Sequence, residues 1–302
     1  MTSLDDGLGW QFRVARLGNE AKVADLISIV VTTYNREDAL AAVLRALSRQ
    51  SDADFEVIVA DDGSREETAR LVEVWKARIG RRLEHVWHED RGFRAAEIRN
   101  RAILQSRGAY CVFLDGDCIP RPDFVATHRA LAEAGCFVAG NRVLLSQQLT
   151  EPVLREQQTP ETWRFVRWLR LRLAGDVNRI AALLKLPLGR LRHLRERRWE
   201  GVRSCNFAVW RADLEYVDGF DAAYTGWGKE DSDLVVRLLR AGVRRKDGMF
   251  ATAVLHLHHP EADRGALPEN ERKLRFALDA GDIRAHVGLS ALRTEGGWQA
   301  RR

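Results

Sequence analysis

No stretch of this 302-residue chain approaches the roughly 18 consecutive apolar residues that a membrane-spanning helix needs. Cysteine is scarce. The four present, Cys111, Cys118, Cys136 and Cys205, contain no Cys-x-x-Cys pair. That argues against a zinc site or a disulfide frame and for buried thiols in a reducing compartment. Met1 to Asp6 lacks a basic start and a following apolar run, so no secretory leader is expected. Internal repeats and low-complexity linkers are missing as well. What remains is the composition of a globular enzyme, with 45% apolar and 30% charged residues. A cytoplasmic location is expected, with peripheral contact at the inner face of the membrane as an option.

The chain does carry a local excess of positive charge. The net charge is only +5, yet residues 155–200 hold twelve basic and five acidic side chains, a net of +7. The remainder is therefore close to −2, and the basic character belongs to one segment. From Leu154 to Trp199 Arg, Leu and Trp recur at helical spacing, which predicts two or three amphipathic helices broken near Pro187. Such a face suits an anionic membrane surface, or a lipid-linked or phosphorylated acceptor. A solvated basic face fits the composition equally well. No nucleic-acid module is visible, and nucleic acid is not expected as a partner.

From Leu26 onward strands and helices alternate. Ile27–Thr32, Phe55–Ala60, Leu83–Trp87 and Tyr110–Leu114 read as buried strands. Glu37–Gln50, Glu66–Arg78, Arg94–Ser106 and Pro122–Ala134 read as the helices between and after them. The pattern predicts an α/β fold, a mostly parallel sheet flanked by helices, with the basic helical region inserted. Later, Ser204–Trp210 and Phe250–His258 read as strands, Asp231–Ala241 and Glu269–Ala280 as helices. In such sheets ligands sit beyond the carboxyl ends of the strands. Those ends read Thr32-Thr33-Tyr34-Asn35, Asp61-Asp62-Gly63-Ser64 and Asp115-Gly116-Asp117.

Asp-x-Asp occurs three times, at Asp52/Asp54, Asp115/Asp117 and Asp231/Asp233, but only Asp115/Asp117 follows a purely apolar strand. Two carboxylates that close repel unless a cation or hydrogen bonds compensate, so they suit a hard divalent ion. Asp62 at a strand end suits a base or ribose hydroxyl, while Ser64 suits a helix cap. Arg94 opens a helix, where a cation is unfavourable unless an anion is near. Gly226-Trp227-Gly228-Lys229-Glu230-Asp231 offers an aromatic platform and two acids to a sugar, with a capped helix start as its structural counterpart. Alternation puts His256 and His258 on one face of a strand end, where one could complete a metal site.

Together these residues resemble family 2 glycosyltransferases of the GT-A fold. The resemblance rests on Ile29-Val30-Val31-Thr32-Thr33-Tyr34-Asn35-Arg36, Val59-Ala60-Asp61-Asp62-Gly63-Ser64, Phe113-Leu114-Asp115-Gly116-Asp117 and the helix carrying Arg99-Asn100. The stretch Asn206 to Trp210, Gly219-Phe220-Asp221 and Gly226 to Asp233 is similar to the acceptor half of bacterial chondroitin polymerases and β-1,4-galactosyltransferases. The resemblance implies that Thr33, Tyr34, Asp62, Arg94 and Asp115 bind the nucleotide-sugar. It implies that Asp117 and His256 hold Mn2+ or Mg2+, with His258 and His259 open as alternatives to His256. Asp231 is implied as the base, with Glu230 and Trp227 at the acceptor.

The implied layout is an extension over 1–25, a transferase domain over 26–260 and a helical tail over 261–302. The domain divides into a nucleotide-sugar half (26–145), a helical insertion (150–200) and an acceptor half (201–260). The implied activity is inverting hexosyl or N-acetylhexosaminyl transfer. The donor is a nucleotide-sugar, UDP through the family, and the acceptor is a glycan or lipid-linked hydroxyl in cell-surface polysaccharide synthesis. A nucleotidyltransferase is the enzyme rival, but the turn after the first strand lacks the glycine-rich loop it would need. A non-catalytic sugar-binding protein on a degenerate fold is the other rival, and the intact acids count against it.

Overall fold

The computed structural model describes residues 24–294. Almost all of the expected extension over 1–25, and the last eight residues of the expected tail, lie outside the described residues. Apolar runs in the first half become buried strands alternating with helices. In order these are β1 (Ile27–Thr33), α1 (Glu37–Ser48), β2 (Phe55–Asp61), α2 (Glu66–Arg78), β3 (Leu83–Trp87), α3 (Ala95–Gln105) and β4 (Tyr110–Asp115). All pairings among these four strands are parallel.

The next elements are β5 (Cys118–Ile119), α4 (Phe124–Leu131), β6 (Cys136–Ala139), β7 (Arg142–Leu144), α5 (Gln147–Arg155) and α6 (Phe165–Leu173). They are followed by β8 (Asn206–Trp210), α7 (Arg211–Tyr216), α8 (Glu230–Arg240), β9 (Arg244–Asp247), β10 (Val254–His256), α9 (Leu267–Ala280) and α10 (Leu289–Thr294). The main sheet has the order β3-β2-β1-β4-β8-β6-β9, and β8 runs antiparallel to both of its neighbours. A second sheet has the order β5-β10-β7.

Strand alternation divides the interior in two. Ile29 and Val31 of β1 face one apolar cluster with Leu40, Leu44 and Leu47 of α1, whereas Val30 faces the other with Ile98 and Ile103 of α3. In that second cluster Phe113 of β4 packs against Phe207 of β8 and Phe220, with ring centroids 6.0 and 5.2 Å apart. The two halves of the chain thus share one core. Among the described residues no helix is long and apolar enough to cross a membrane.

Three departures from expectation have local causes. Within 154–199 only α6 forms a nine-residue α-helix; the rest is 3-10 turns at Pro160–Thr162, Ala181–Leu183 and Gly189–His193. Gly175 and Gly189 adopt φ of +85° and +48°, and with Pro187 they interrupt the helical run. The strand expected over Phe250–His258 contracts to Val254–His256. Ser64 does not cap a helix: Arg65 holds that position without a side-chain cap, and the Ser64 hydroxyl accepts from the Asn35 N–H at 2.8 Å.

One buried group gives the fold a pH dependence. His128 of α4 is fully buried, its ring centroid 4.5 Å from that of Phe124. Burial lowers its pKa from 6.5 to about 3, with Asn206 opposing. The unfolded chain therefore binds a proton that the folded chain refuses, so this contribution is complete above about pH 6.5 and is lost as pH falls toward 3. Urea unfolding between those pH values should show a shallower loss of stability for His128→Leu than for the wild-type chain.

Candidate active site

The strand ends are stitched to one another by their own backbone. The Gly116 N–H donates to the Thr32 carbonyl at 2.7 Å, and the Asp62 N–H donates to the Thr33 carbonyl at 2.9 Å. A Cβ on Gly116 would lie 3.0 Å from that Thr32 carbonyl, so a side chain there crowds the β1 edge. The turns after β1, β2 and β4 thereby form one shelf.

Arg99 of α3 joins this shelf to the distant α8. Its guanidinium donates to Glu230 at 3.0 Å and to Thr32 Oγ1 at 3.1 Å, and it pairs with Asp115 at 3.4 Å. Burial works against its charge, but Glu230, Asp115 and Asp231 outweigh it and hold the guanidinium protonated. Asn100 beside it clamps Phe220, donating to the Phe220 carbonyl at 2.7 Å and accepting from its N–H at 2.8 Å. Gly219 fits only because it has no side chain: a Cβ would lie 2.5 Å from Asn100 Oδ1. The Gly226 N–H then donates to the Phe93 carbonyl at 2.9 Å, tying the Trp227 loop to the turn that precedes α3.

These ties gather the acids at one corner. Burial raises the pKa of Asp115 to about 6 although a third of its side chain is still exposed; Asp117 and Asp231 push the same way, against Arg99 and Arg142. Glu230 is raised too, by burial and by Asp231, with Arg99 opposing. Asp115 is therefore within electrostatic reach of both Asp117 and Asp231. Asp231 lies in the first turn of α8, where a helix start favours carboxylates, and accepts from the Ser204 N–H at 3.3 Å.

Two of the other Asp-x-Asp carboxylates are engaged structurally. Asp52 pairs with Arg129 at 2.6 Å, and buried Asp233 pairs with Arg237 at 2.7 Å. Asp117 instead faces histidine: His256 Nε2 at 3.6 Å and His259 Nε2 at 3.4 Å. Burial lowers the His256 pKa to about 4, which leaves a ring nitrogen lone pair free at neutral pH. Cys118 joins the same cluster of potential ligand atoms, and burial raises its pKa well above the usual thiol value. A carboxylate with an uncharged imidazole beside it can hold a divalent ion, so the cluster fits the expected metal. His258 is exposed, and its N–H donates to Thr150. The strand ends at His256, so the alternation that paired His256 with His258 stops there and His259 arrives instead.

The expected nucleotide residues form a neighbouring network. Asp62 is 4% exposed and holds His88 Nε2 at 2.6 Å on one oxygen and the Arg94 N–H at 2.9 Å on the other. Arg94 pairs with Glu97 at 2.8 Å, and exposed Tyr34 donates to Asp90 at 2.9 Å. The Thr33 hydroxyl is buried and unpaired among the described residues. Trp227 is half-buried between Gly226 and Gly228, at φ of +72° and +107°, with the Arg264 guanidinium 5.1 Å from its ring.

Sequence reasoning gave no role to Arg99, Arg142 or His88. Arg99 left a signal: a cation within the apolar stripe Ala95, Ala96, Ile98, Ala102 and Ile103 has to meet buried acids. Arg99→Met should cost about 3–5 kcal/mol, because it leaves Asp115 and Glu230 buried without their cation. Urea unfolding checks this, and adding Glu230→Met to Arg99→Met should recover part of the loss.

Comparisons with known proteins place the chain in a family and a fold. Residues 28–185 match the family model "Glycosyl transferase family 2", and residues 192–260 match "N-terminal domain of galactosyltransferase". The chain is 31% identical over 249 residues to validoxylamine A glucosyltransferase of Streptomyces hygroscopicus subsp. limoneus, covering 76% of this chain and 51% of that protein. It is 28% identical over 239 residues to chondroitin synthase of Escherichia coli, covering 73% of this chain and 33% of that protein. It thus spans about half, or less, of the length of these curated relatives. Among solved structures, S. aureus TarS 1-349 in complex with UDP superposes with a TM-score of 0.57 at 16% identity, over 88% of this chain and 68% of that one. A mannosyltransferase from Pyrobaculum calidifontis in complex with GDP-Man and Mn2+ superposes with a TM-score of 0.51 at 18% identity, over 95% and 86%.

Proposed function

The chain belongs to glycosyl transferase family 2 and has the GT-A fold, and from that premise we propose a metal-dependent inverting transferase. It moves a hexosyl or N-acetylhexosaminyl group from a nucleotide-sugar, a UDP-sugar, to a hydroxyl of a glycan or lipid-linked acceptor in cell-surface polysaccharide synthesis. Its place is the cytoplasmic side, in peripheral contact with the membrane. The observation that carries this reading is the Arg99 bridge, which ties the start of α8, where Asp231 lies, to Asp115 at the end of β4.

Asp117 and His256 would hold the ion, with His259 adjacent. Mn2+ or Mg2+ there supplies neutralisation of charge on the departing nucleoside diphosphate. Thr33, Tyr34, Asp62 and Arg94 line the nucleotide side of the shelf, and Asp115 faces the ribose. Asp62 is held by His88 and the Arg94 N–H, which fixes the orientation of its carboxylate. Trp227 offers a ring to the acceptor sugar and Glu230 orients it. Asp231 takes the proton from the acceptor hydroxyl, whose oxygen attacks the anomeric carbon from the side opposite the leaving nucleotide. One bond forms as the other breaks, and the configuration inverts. No protein acid is needed for a leaving group that departs as an anion.

Asp231→Asn should lower transfer by roughly 100- to 10,000-fold, the usual worth of a positioned base, while nucleotide-sugar affinity stays within a few-fold. Transfer assayed with a panel of UDP-sugars and glycan acceptors, beside calorimetric donor binding, checks this; near-normal turnover in the variant would remove Asp231 from the role. Chelation by EDTA should abolish transfer, and Mn2+ should restore it.

A further inference from the structure

The basic segment presents an apolar surface that the fold leaves uncovered. Eight large apolar side chains are exposed between Phe165 and Leu194, among them Val166 at 58%, Leu173 at 81% and Leu194 at 79%. Within α6 only Trp168 is buried. At about 100° per residue, Phe165, Leu169, Leu173 and Val166 fall within one arc of roughly 100°. Arg172 and Arg170 border that arc on either side. Leu171 lies on the opposite side and Trp168 beyond the Arg172 border, and both pack into the molecule. The helix contains no acid, and Arg164, Arg170 and Arg172 have no acidic partner among the described residues.

A water-facing helix has its polar residues outward. Here the outward arc is apolar and edged with guanidinium groups, the arrangement of a helix lying in a bilayer interface. Apolar side chains enter the acyl region there, and arginines reach back to the headgroup phosphates. The surface continues beyond α6. Exposed Leu184, Leu186, Leu191 and Leu194 alternate with Arg190, Arg195 and Arg197. Arg192 anchors this stretch to the body by donating to the carbonyls of Asp247 and Met249.

We propose that α6 and the 184–194 stretch seat the enzyme on a bilayer containing anionic phospholipid. The charge is complementary to such a surface, and its concentration in 155–200 is matched by no other part of the chain. The inner side of α6 adjoins the chemistry: Trp163, Trp168 and Leu255 line one small cavity, and Leu255 precedes His256 of the Asp117 cluster. Docking through α6 therefore holds the candidate metal cluster close to the headgroup plane, within reach of a saccharide carried on a membrane lipid. The inference deepens the peripheral location proposed above. Its test measures lipid binding without any sugar transfer, so either can fail alone.

The test is co-sedimentation of the full chain with vesicles of phosphatidylcholine alone or mixed with phosphatidylglycerol. The wild type should sediment with the anionic vesicles, far less with the neutral ones, and less again as salt is raised. Leu169→Gln with Leu173→Gln alters two exposed positions and should lower the partition coefficient by about tenfold or more while leaving the melting temperature unchanged. Lack of wild-type binding to anionic vesicles would overturn the proposal. So would binding that the double variant leaves intact, since charge alone would then account for it. Light scattering supplies a third outcome: a wild-type dimer that becomes monomeric in the double variant would assign the face to a second copy and overturn the proposal.

Discussion

A cation buried between two acids from distant parts of the chain organises the candidate active site. Arg99 is fixed by α3, and it reaches Asp115 at the end of β4 and Glu230 at the start of α8, 131 residues away in the chain from its own position. Either acid buried alone would be costly. With the guanidinium between them, both are held within reach of Asp231 and Asp117. Asn100, one residue on, pins Phe220 by two hydrogen bonds from its side chain to the backbone, so a single helical turn fixes both the entry to the Trp227 loop and the start of α8.

The first half of the fold was legible because its strands are nearly pure apolar runs. Ile27 to Thr33 and Tyr110 to Asp115 bury almost every side chain, and the helices between them show one apolar face each. The strand β9 was invisible because Arg244-Arg245-Lys246-Asp247 contains no apolar residue; it pairs at the sheet edge through its backbone. β6 and β7 are only four and three residues long, too short for periodicity to register. In the basic segment composition suggested more helix than forms, since left-handed glycines and Pro187 cut the run.

The site divides along a similar line. Acids at strand ends were readable, because a carboxylate pair behind an apolar strand has few structural uses. Which histidine meets Asp117 was not, since that depends on where β10 stops. The partnership of Asp62 with His88 was likewise hidden, because His88, just past the end of β3, comes alongside only after the sheet has formed. Arg99 was readable in part: its stripe showed that it is buried, but nothing local showed against what.

The antiparallel β8 lies between β4 and β6, so strands from both family-matched segments belong to one hydrogen-bonded sheet. A hinge between the two family-matched segments would have to break that ladder and separate Phe113 from Phe207. Clamshell closure is thereby excluded as a way to admit substrate and expel product. Opening has to be confined to the rim, where the glycine-flanked Trp227 turn meets the start of α9: Asn270 donates to the Thr225 carbonyl and Lys229 pairs with Glu271. Motion there would then have to release a few polar latches, not rotate whole lobes.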